Sequence, residues 1–148
     1  MSSIIPKPDL KFFISWISCS IGMFGMSYLW HGVFLNDFIK ISYPVDVFLT
    51  IAALVYLGIG LCITILTYVG KKVKDSFKYG MLVGAIAGVF IYAIAFLLGI
   101  SFYTQVDMKI IVFDLSWQVF EQAFGGLVCG WFYRFLYVRE KQQLRMAD

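Results

Sequence analysis

The residue with the most conspicuous chemistry in this sequence is a glutamate, Glu121, that lies deep inside an apolar stretch. It follows Asp114 by two helical turns, which is about 10 Å along a helix that rises 1.5 Å per residue. A carboxyl at that depth in a bilayer costs about 2.5–3.5 kcal/mol on insertion scales, so we expect it to face a bundle interior or a water-filled cavity. Such a group can bind a proton, attract a cation or hold a second helix by a hydrogen bond.

Glu121 belongs to a polar stripe on its helix. At about 100° per residue, the following side chains project to one side: Asp114, Gln118, Glu121 and Gln122. We expect Asp114 to lie at the membrane interface as an N-cap or first-turn acid, where the helix dipole favours a negative charge. The stripe therefore predicts a polar face that starts at the interface and enters the membrane.

The only histidine of the chain, His31, lies on a matching stripe with Ser27 and Tyr28 near the end of the first apolar stretch. It is about 6 Å below the end of that helix, at the level of Gln118 and within a turn of Glu121. A hydrogen bond from His31 to Glu121 or to Gln118 is therefore predicted, provided that the first and fourth helices are neighbours.

Three roles are open for the site of His31 and Glu121. A structural clasp between helices needs no further component, and hydrogen bonds of this kind average about 0.6 kcal/mol in membranes. A proton-linked site for transport or sensing would use the titration of the two side chains. Ligation of a metal or tetrapyrrole through His31 is limited because the chain has one imidazole. We therefore predict no cofactor and no metal site built from this chain alone.

The elements that must position these residues follow from composition. The chain has 148 residues, of which 61% are hydrophobic and 14% charged, whereas soluble domains have about 25% charged residues. Four stretches reach the roughly 20 apolar residues that a bilayer core requires, namely residues 12–35, 47–69, 79–103 and 113–138. With short connections between them, they predict an all-α, membrane-embedded, up-down bundle of four transmembrane helices, with residues 1–148 in one domain.

The distribution of Lys and Arg predicts the orientation. Of the twelve basic residues, all but Lys40 and Lys109 lie before helix 1, between helices 2 and 3, or at and beyond the end of helix 4. Because cytoplasmic loops retain basic residues, both termini are predicted to be cytoplasmic. The expected location is a cell membrane. The formal charge of +3 does not indicate nucleic acid.

The lysines between helices 2 and 3 are the basic residues that could bind a ligand. Contact with anionic lipid headgroups would contribute about 1 kcal/mol per residue, and a merely solvated loop is the alternative. The residues concerned are Lys71, Lys72, Lys74 and Lys78.

Glycines at intervals of four residues predict close helix contacts, since small residues let helix backbones approach in lipid. Helix 3 has Gly80, Gly84 and Gly88, and helix 4 has Gly126 and Gly130. These strips serve either self-association or packing within the four-helix bundle. The predicted partners are the lipid bilayer and either a second protein or another copy of the chain.

The three cysteines, Cys19, Cys62 and Cys129, each fall inside a predicted span. Their number is odd and no two form a C-x-x-C pair, so we expect small hydrophobic side chains without disulfide or redox chemistry.

One segment resembles a known group of proteins. The sequence from Tyr28 to Asp37, YLWHGVFLND, is similar to the W-H-G-V-L-L-x-D pattern of small bacterial four-helix membrane proteins of unknown function. The glycine-rich segment from Phe124 to Gly130 is also similar to the end of those proteins. The resemblance implies a four-helix membrane fold and a cell membrane of the bacterial inner-membrane type, and it carries no activity.

These observations favour a non-enzymatic integral membrane protein, an accessory subunit of a membrane complex or a small oligomer. One alternative is a small proton- or cation-coupled transporter that uses Glu121. Another is a pigment- or tetrapyrrole-binding subunit that uses His31. An enzyme is not expected, because no nucleophile and base, or metal triad, has a recognisable spacing.

Overall fold

The computed structural model describes residues 8–70, 72–74, 76–99 and 108–147. Helix α1 spans Leu10–Ser27 and continues as a π-helical turn over Tyr28–Phe34, which is followed by a 3₁₀ turn at Asp37–Lys40. Helix α2 spans Val45–Val69, and a second 3₁₀ turn covers Lys72–Lys74. Helix α3 spans Lys78–Gly99 and helix α4 spans Met108–Ala147. The described residues contain no strand, which confirms the all-α class.

Three of the helical segments are long and apolar enough to cross a membrane. They are Leu10–Phe34, Val45–Val69 and Lys78–Leu98. Their length and composition support the predicted membrane class. Helix α4 does not belong to this set, because polar side chains occupy its first half and charged ones its last turns.

The predicted bounds of the first two helices differ little from those observed. Of the predicted third helix, residues 100–103 lie outside the described residues. The predicted bounds of the fourth helix, 113–138, are wrong at both ends, since α4 has 40 residues and continues to Ala147. The segment after Val138 is rich in Arg, Glu, Lys, Gln and Leu, which are strong helix formers, so the helix continues where the apolar stretch stops.

The helices pack with α4 between α1 and α3, and with α2 mainly against α1. Consecutive helices are antiparallel. Gly80 at the start of α3 meets Gly130 late in α4, and Gly88 further along α3 meets Gln118 earlier in α4. One end of the bundle, where α1 and α3 begin, is called the Asp9 end, and the other is called the His31 end.

Helices α3 and α4 meet backbone to backbone along their glycines. A Cβ on Gly84 would overlap the carbonyl oxygen of Gln122, and one on Gly80 would overlap that of Gly126. A Cβ on Gly88 would lie 2.9 Å from the carbonyl oxygen of Gln118. The two glycine strips therefore face each other inside one chain, and they hold the polar part of α4 at a fixed depth.

Polar side chains lie in the interior beside a small apolar cluster, and many large apolar side chains lie on the outside. The buried polar residues are Ser15, Ser20, Thr64, Thr67, Glu121 and Gln122. Large apolar side chains on every helix are exposed, among them Ile51, Phe90 and Phe120. This pattern suits a lipid environment, where apolar surface needs no burial and polar groups must find partners in the interior.

Candidate functional site

The centre of the site is the carboxyl of Glu121, which is only 1% exposed. The adjacent Gln122 is fully buried as well, and its Nε2 donates a hydrogen bond to Oε1 of Glu121 at 3.1 Å. The other amide atom, Oε1 of Gln122, has no hydrogen-bond partner among the described residues. Two neighbouring polar side chains of α4 are therefore held in the interior with unused bonding capacity.

Helix α2 contributes a residue that the sequence analysis missed, Tyr56. Its hydroxyl lies within hydrogen-bonding reach of the Glu121 carboxyl and of the Ser27 hydroxyl. Its ring packs edge-on against Phe24 of α1, with centroids 6.0 Å apart. The signal available in the sequence was a tyrosine in the middle of an apolar helix, since a buried Tyr hydroxyl usually finds a partner.

His31 lies on the π-helical turn of the first helical segment. The π character is seen in the hydrogen bond from the Leu35 N–H to the Trp30 carbonyl oxygen at 2.9 Å, which joins residues five apart. Gly32 permits this local structure, because a Cβ there would lie 2.5 Å from the ring of Phe38. The helix then ends at Asn36, which has φ 52°, a left-handed conformation that Asn tolerates better than most residues.

His31 on the π turn lies on the same side of the bundle as the acid on α4. His31 is half-buried and close enough to Glu121 to interact with it electrostatically. Ser27, one turn before His31, reaches Tyr56 instead. The predicted approach of the His31 and Glu121 stripes therefore involves α2 as well as α1 and α4. Insertions of this π type within α-helices occur often at functional sites.

Two tryptophans close the site towards the His31 end. The indole rings of Trp30 and Trp117 stack with centroids 4.1 Å apart and planes inclined by 15°. The indole nitrogen of Trp117 is buried near Glu121 and finds no partner with hydrogen-bonding geometry in the described parts of the chain. The stack joins α1 to α4 and shields the carboxyl from the end of the bundle.

Three further residues predicted for the site lie at its margin or outside it. Tyr28 is 43% exposed and its ring contacts Phe38. Gln118 is half-buried, and its backbone packs on Gly88. The predicted N-cap or first-turn role of Asp114 is wrong, because α4 begins at Met108 and the exposed Asp114 comes in its second turn.

The composition of the site suits proton chemistry better than metal binding. Within the described ranges, no three side chains of His, Cys, Asp or Glu are grouped so that they could hold a metal ion. Glu121, His31 and Tyr56 can each gain or lose a proton, and Gln122 and Ser27 can donate or accept hydrogen bonds. This set of groups can accommodate a change of protonation by rearranging hydrogen bonds.

A second polar cluster ties the helices together at the opposite end. Asp9 caps α1, since its Oδ1 accepts a hydrogen bond from the Phe12 N–H at 3.0 Å and another from the Tyr68 hydroxyl at 2.7 Å. Lys11 forms ion pairs with Asp9 at 3.1 Å and with Glu140 of α4. One carboxylate thus connects α1 directly to α2 and, through Lys11, to α4.

The environment of Asp9 changes its titration. Partial burial acts to raise the pKa of this carboxyl, but the hydrogen bonds from Tyr68 and Phe12, followed by the charge of Lys11, outweigh it. The pKa of Asp9 is therefore held below its ordinary value of 3.8. Asp9 is therefore charged at neutral pH.

Comparison with known proteins gives no match for this chain, whether with protein families, curated proteins or solved structures.

Proposed function

We propose that this chain is a small proton-coupled membrane transporter of cations, in which Glu121 binds and releases the proton. The observation that carries the proposal is the complete burial of the Glu121 carboxyl at the junction of three helices, with Tyr56, Gln122 and His31 around it. An ionisable residue inside a membrane bundle is expensive, and such residues commonly mark proton relays and ion pathways.

Unused hydrogen-bonding capacity around the carboxyl supports transport over a purely structural role. A clasp that only holds helices together is most stable when all its polar atoms are paired. Here Oε1 of Gln122 and Nε1 of Trp117 are buried without a hydrogen-bond partner in the described residues. Each such group is costly unless water or a bound ion satisfies it at some stage of the cycle.

A column of buried hydroxyl groups continues from this site towards the Asp9 end. Thr64 and Thr67 of α2 and Ser15 of α1 are at most 2% exposed. The hydroxyls of Thr67 and Ser15 find no hydrogen-bond partner in residues 8–70, 72–74, 76–99 and 108–147. The three hydroxyls supply polar groups between the Glu121 site and the Asp9 end, which supports a proton path on that side of the carboxyl.

The membrane arrangement that this function needs is four spanning helices with both termini in the cytoplasm of a bacterial cell. Helix α4 is the fourth span in this proposal, because Glu121 and Gln122 lie inside while Phe113, Phe120 and Phe135 are exposed. The His31 end then faces outwards, where the exposed carboxylate of Asp46 would attract cations. The lysines at positions 71, 72, 74 and 78 would meet anionic lipid headgroups on the inner side.

Uptake into vesicles tests the proposal. Purified protein is reconstituted with an entrapped pH-sensitive dye, and gradients of Na⁺ and K⁺ are imposed in turn. We expect a cation-dependent change of internal pH with the wild type and with Asp114→Asn, whose carboxyl is exposed on the same helix, and no change with Glu121→Gln. A wild-type response equal to that of empty vesicles overturns the proposal.

An accessory subunit of a membrane complex is the second candidate. It is favoured by α3, which packs on α4 along its glycine face and exposes Leu82, Phe90, Ile94 and Leu97. In this case the Glu121 site would be a clasp, and Glu121→Gln would release co-purifying proteins in mild detergent. Intact assembly with lost uptake contradicts the subunit, whereas lost assembly without any wild-type uptake contradicts the transporter.

A further inference from the structure

Three sulfur-containing side chains meet in the core, next to the Glu121 site. Cys19 and Met23 lie one turn apart on α1, and Cys129 lies on α4. Cys19 and Met23 are 0% exposed and Cys129 is 1% exposed. Among the residues that the structure describes, they form a buried apolar cluster with Ile63 of α2. We call Cys19, Met23 and Cys129 the sulfur cluster.

The three sulfur atoms are brought together by the packing of α1 on α4. Cys19 and Cys129 belong to one buried cluster across this interface, and both cysteines are free. Gly125, one turn before Cys129, leaves the space that the other two sulfurs use. A Cβ on Gly125 would lie 2.5 Å from Sδ of Met23 and 3.4 Å from Sγ of Cys19.

Hydroxyl groups of α2 border the cluster. Sγ of Cys129 lies 3.5 Å from Oγ1 of Thr64. Thr67, one turn further along α2, is near Cys129 as well, and its hydroxyl is 2% exposed without a hydrogen-bond partner in the part of the chain that is described. Two thiols, a thioether and two hydroxyls are therefore grouped in the buried core, and the hydroxyl of Thr67 has a hydrogen bond left to donate.

We propose that the sulfur cluster is a binding site for a soft monovalent metal cation of the Cu(I) class. Cys19 and Cys129 ligate the ion through their sulfurs, and Met23 supplies a thioether as the third ligand. Soft thiolate and thioether ligands select Cu(I) among the biological metals. The inference does not depend on the transport proposal, because none of its three ligands belongs to the Glu121 site.

The chemistry of binding is an exchange of protons for metal. Each thiol that becomes a thiolate ligand releases one proton, and the copper is supplied and held as Cu(I), so no electron is transferred. The hydroxyls of Thr64 and Thr67 then donate hydrogen bonds to the thiolate of Cys129, which gives the unpartnered Thr67 hydroxyl an acceptor.

The ligand set also argues against other metals. Structural zinc is almost always held by four ligands, and a catalytic zinc by three drawn from His, Cys, Asp and Glu. The cluster offers two cysteines and a methionine, and the described residues contain no group of three His, Cys, Asp and Glu side chains. Hard cations such as Mg²⁺ and Ca²⁺ prefer oxygen ligands, above all carboxylates. The sulfur cluster itself contains no carboxylate.

Anaerobic titration with Cu(I), buffered by a chromogenic chelator, tests the site in the full-length protein in detergent. We expect one Cu(I) per chain. Cys19→Ser and Cys129→Ser should each reduce the affinity by more than about 100-fold, which exceeds the usual effect of changing a residue that only hydrogen-bonds to a ligand. Thr64→Val changes an outer-shell partner and should cost about 10–100-fold. Cys62→Ser is the matched control, because Cys62 is exposed on α2, and it should bind as the wild type does.

Each other outcome overturns the proposal. Absence of Cu(I) binding by the wild type, retention of affinity in Cys19→Ser, or loss of affinity in Cys62→Ser contradicts it. Should a serine variant fail to fold, X-ray absorption of the copper-loaded wild type and of Met23→Leu decides instead. The wild type must show sulfur ligands only, with one sulfur fewer in Met23→Leu, and nitrogen or oxygen ligands refute the site.

Discussion

The amide Nε2 of Gln122 donates a hydrogen bond to Oε1 of Glu121 over 3.1 Å, at a place where neither side chain reaches the surface. Consecutive residues of a helix point about 100° apart, so such a pair fits only where helices enclose both directions. Here α1 and α2 cover Glu121 and the glycines of α3 lie against the backbone of Gln122. The central position of α4 is therefore what allows two adjacent polar residues to be buried together.

The hydroxyl of Tyr56 is predicted to matter for the Glu121 site. Tyr56→Phe removes the hydroxyl near the carboxyl and keeps the ring, so we expect it to reduce the proton-coupled response in vesicles. The unfolding free energy should fall by about 1 kcal/mol, the usual net value of one hydrogen bond. Tyr28→Phe serves as the control, because Tyr28 is 43% exposed on the π turn. Equal activity of the two variants would contradict a role for Tyr56.

The close approach of α3 and α4 predicts a large effect of a single methyl group. Gly84→Ala places a Cβ against the carbonyl oxygen of Gln122, where only backbone can yield. Overpacking of this kind costs about 1–3 kcal/mol, and the variant should unfold at a lower temperature in detergent. Gly58→Ala is the matched control, since nothing lies within 4 Å of the added atom. If both variants unfold alike, the two helices do not pack in this way.

The Asp9 cluster predicts an acid-sensitive contribution to stability. The pKa of Asp9 is lowered in the folded protein, so its contribution is complete above the ordinary value of 3.8 and is lost as the pH falls through the lowered native value. At neutral pH, Asp9→Asn should therefore be less stable than the wild type, and in acid below the native pKa the two should converge. Chemical unfolding at a series of pH values measures this difference. A gap that does not change with pH would contradict the ion pair with Lys11.

The proposed orientation can be tested at positions that the structure leaves exposed. Single cysteines are introduced in a chain without its native ones, at Lys72 and at Asp46, which are exposed at opposite ends of the bundle. We expect a membrane-impermeant thiol reagent to label Asp46→Cys in intact cells and Lys72→Cys only after the membrane is opened. The reverse pattern would place both termini outside, and labelling of both in intact cells would contradict a four-span arrangement.

Hydropathy was sufficient to predict the helical class and the second helix almost to its observed bounds, because a long apolar run in lipid has one stable form. The end of α4 could not be predicted in this way, since the helix there depends on local propensity after apolar character has ended. Glu121 could be identified from the sequence alone, because an acid inside an apolar span has a high free energy of membrane insertion.

The partners of Glu121 were harder to predict. Tyr56 lies on a helix that is apolar on all sides, so periodicity does not indicate which of its faces is buried. The π turn depends on the contact between Gly32 and Phe38, which is tertiary. The meeting of Cys19 with Cys129 likewise depends on the packing of α1 against α4, and spacing along the chain gives no sign of it.

Infrared difference spectroscopy of the reconstituted protein tests the central claim most directly, because it observes the protonation of individual carboxyl groups. Over a series of pH values, we expect a buried-carboxyl band that changes with pH in the wild type. The band should persist in Asp114→Asn and be absent from Glu121→Gln. If the pH-dependent spectrum of Glu121→Gln is the same as that of the wild type, Glu121 does not bind the proton and the account is wrong.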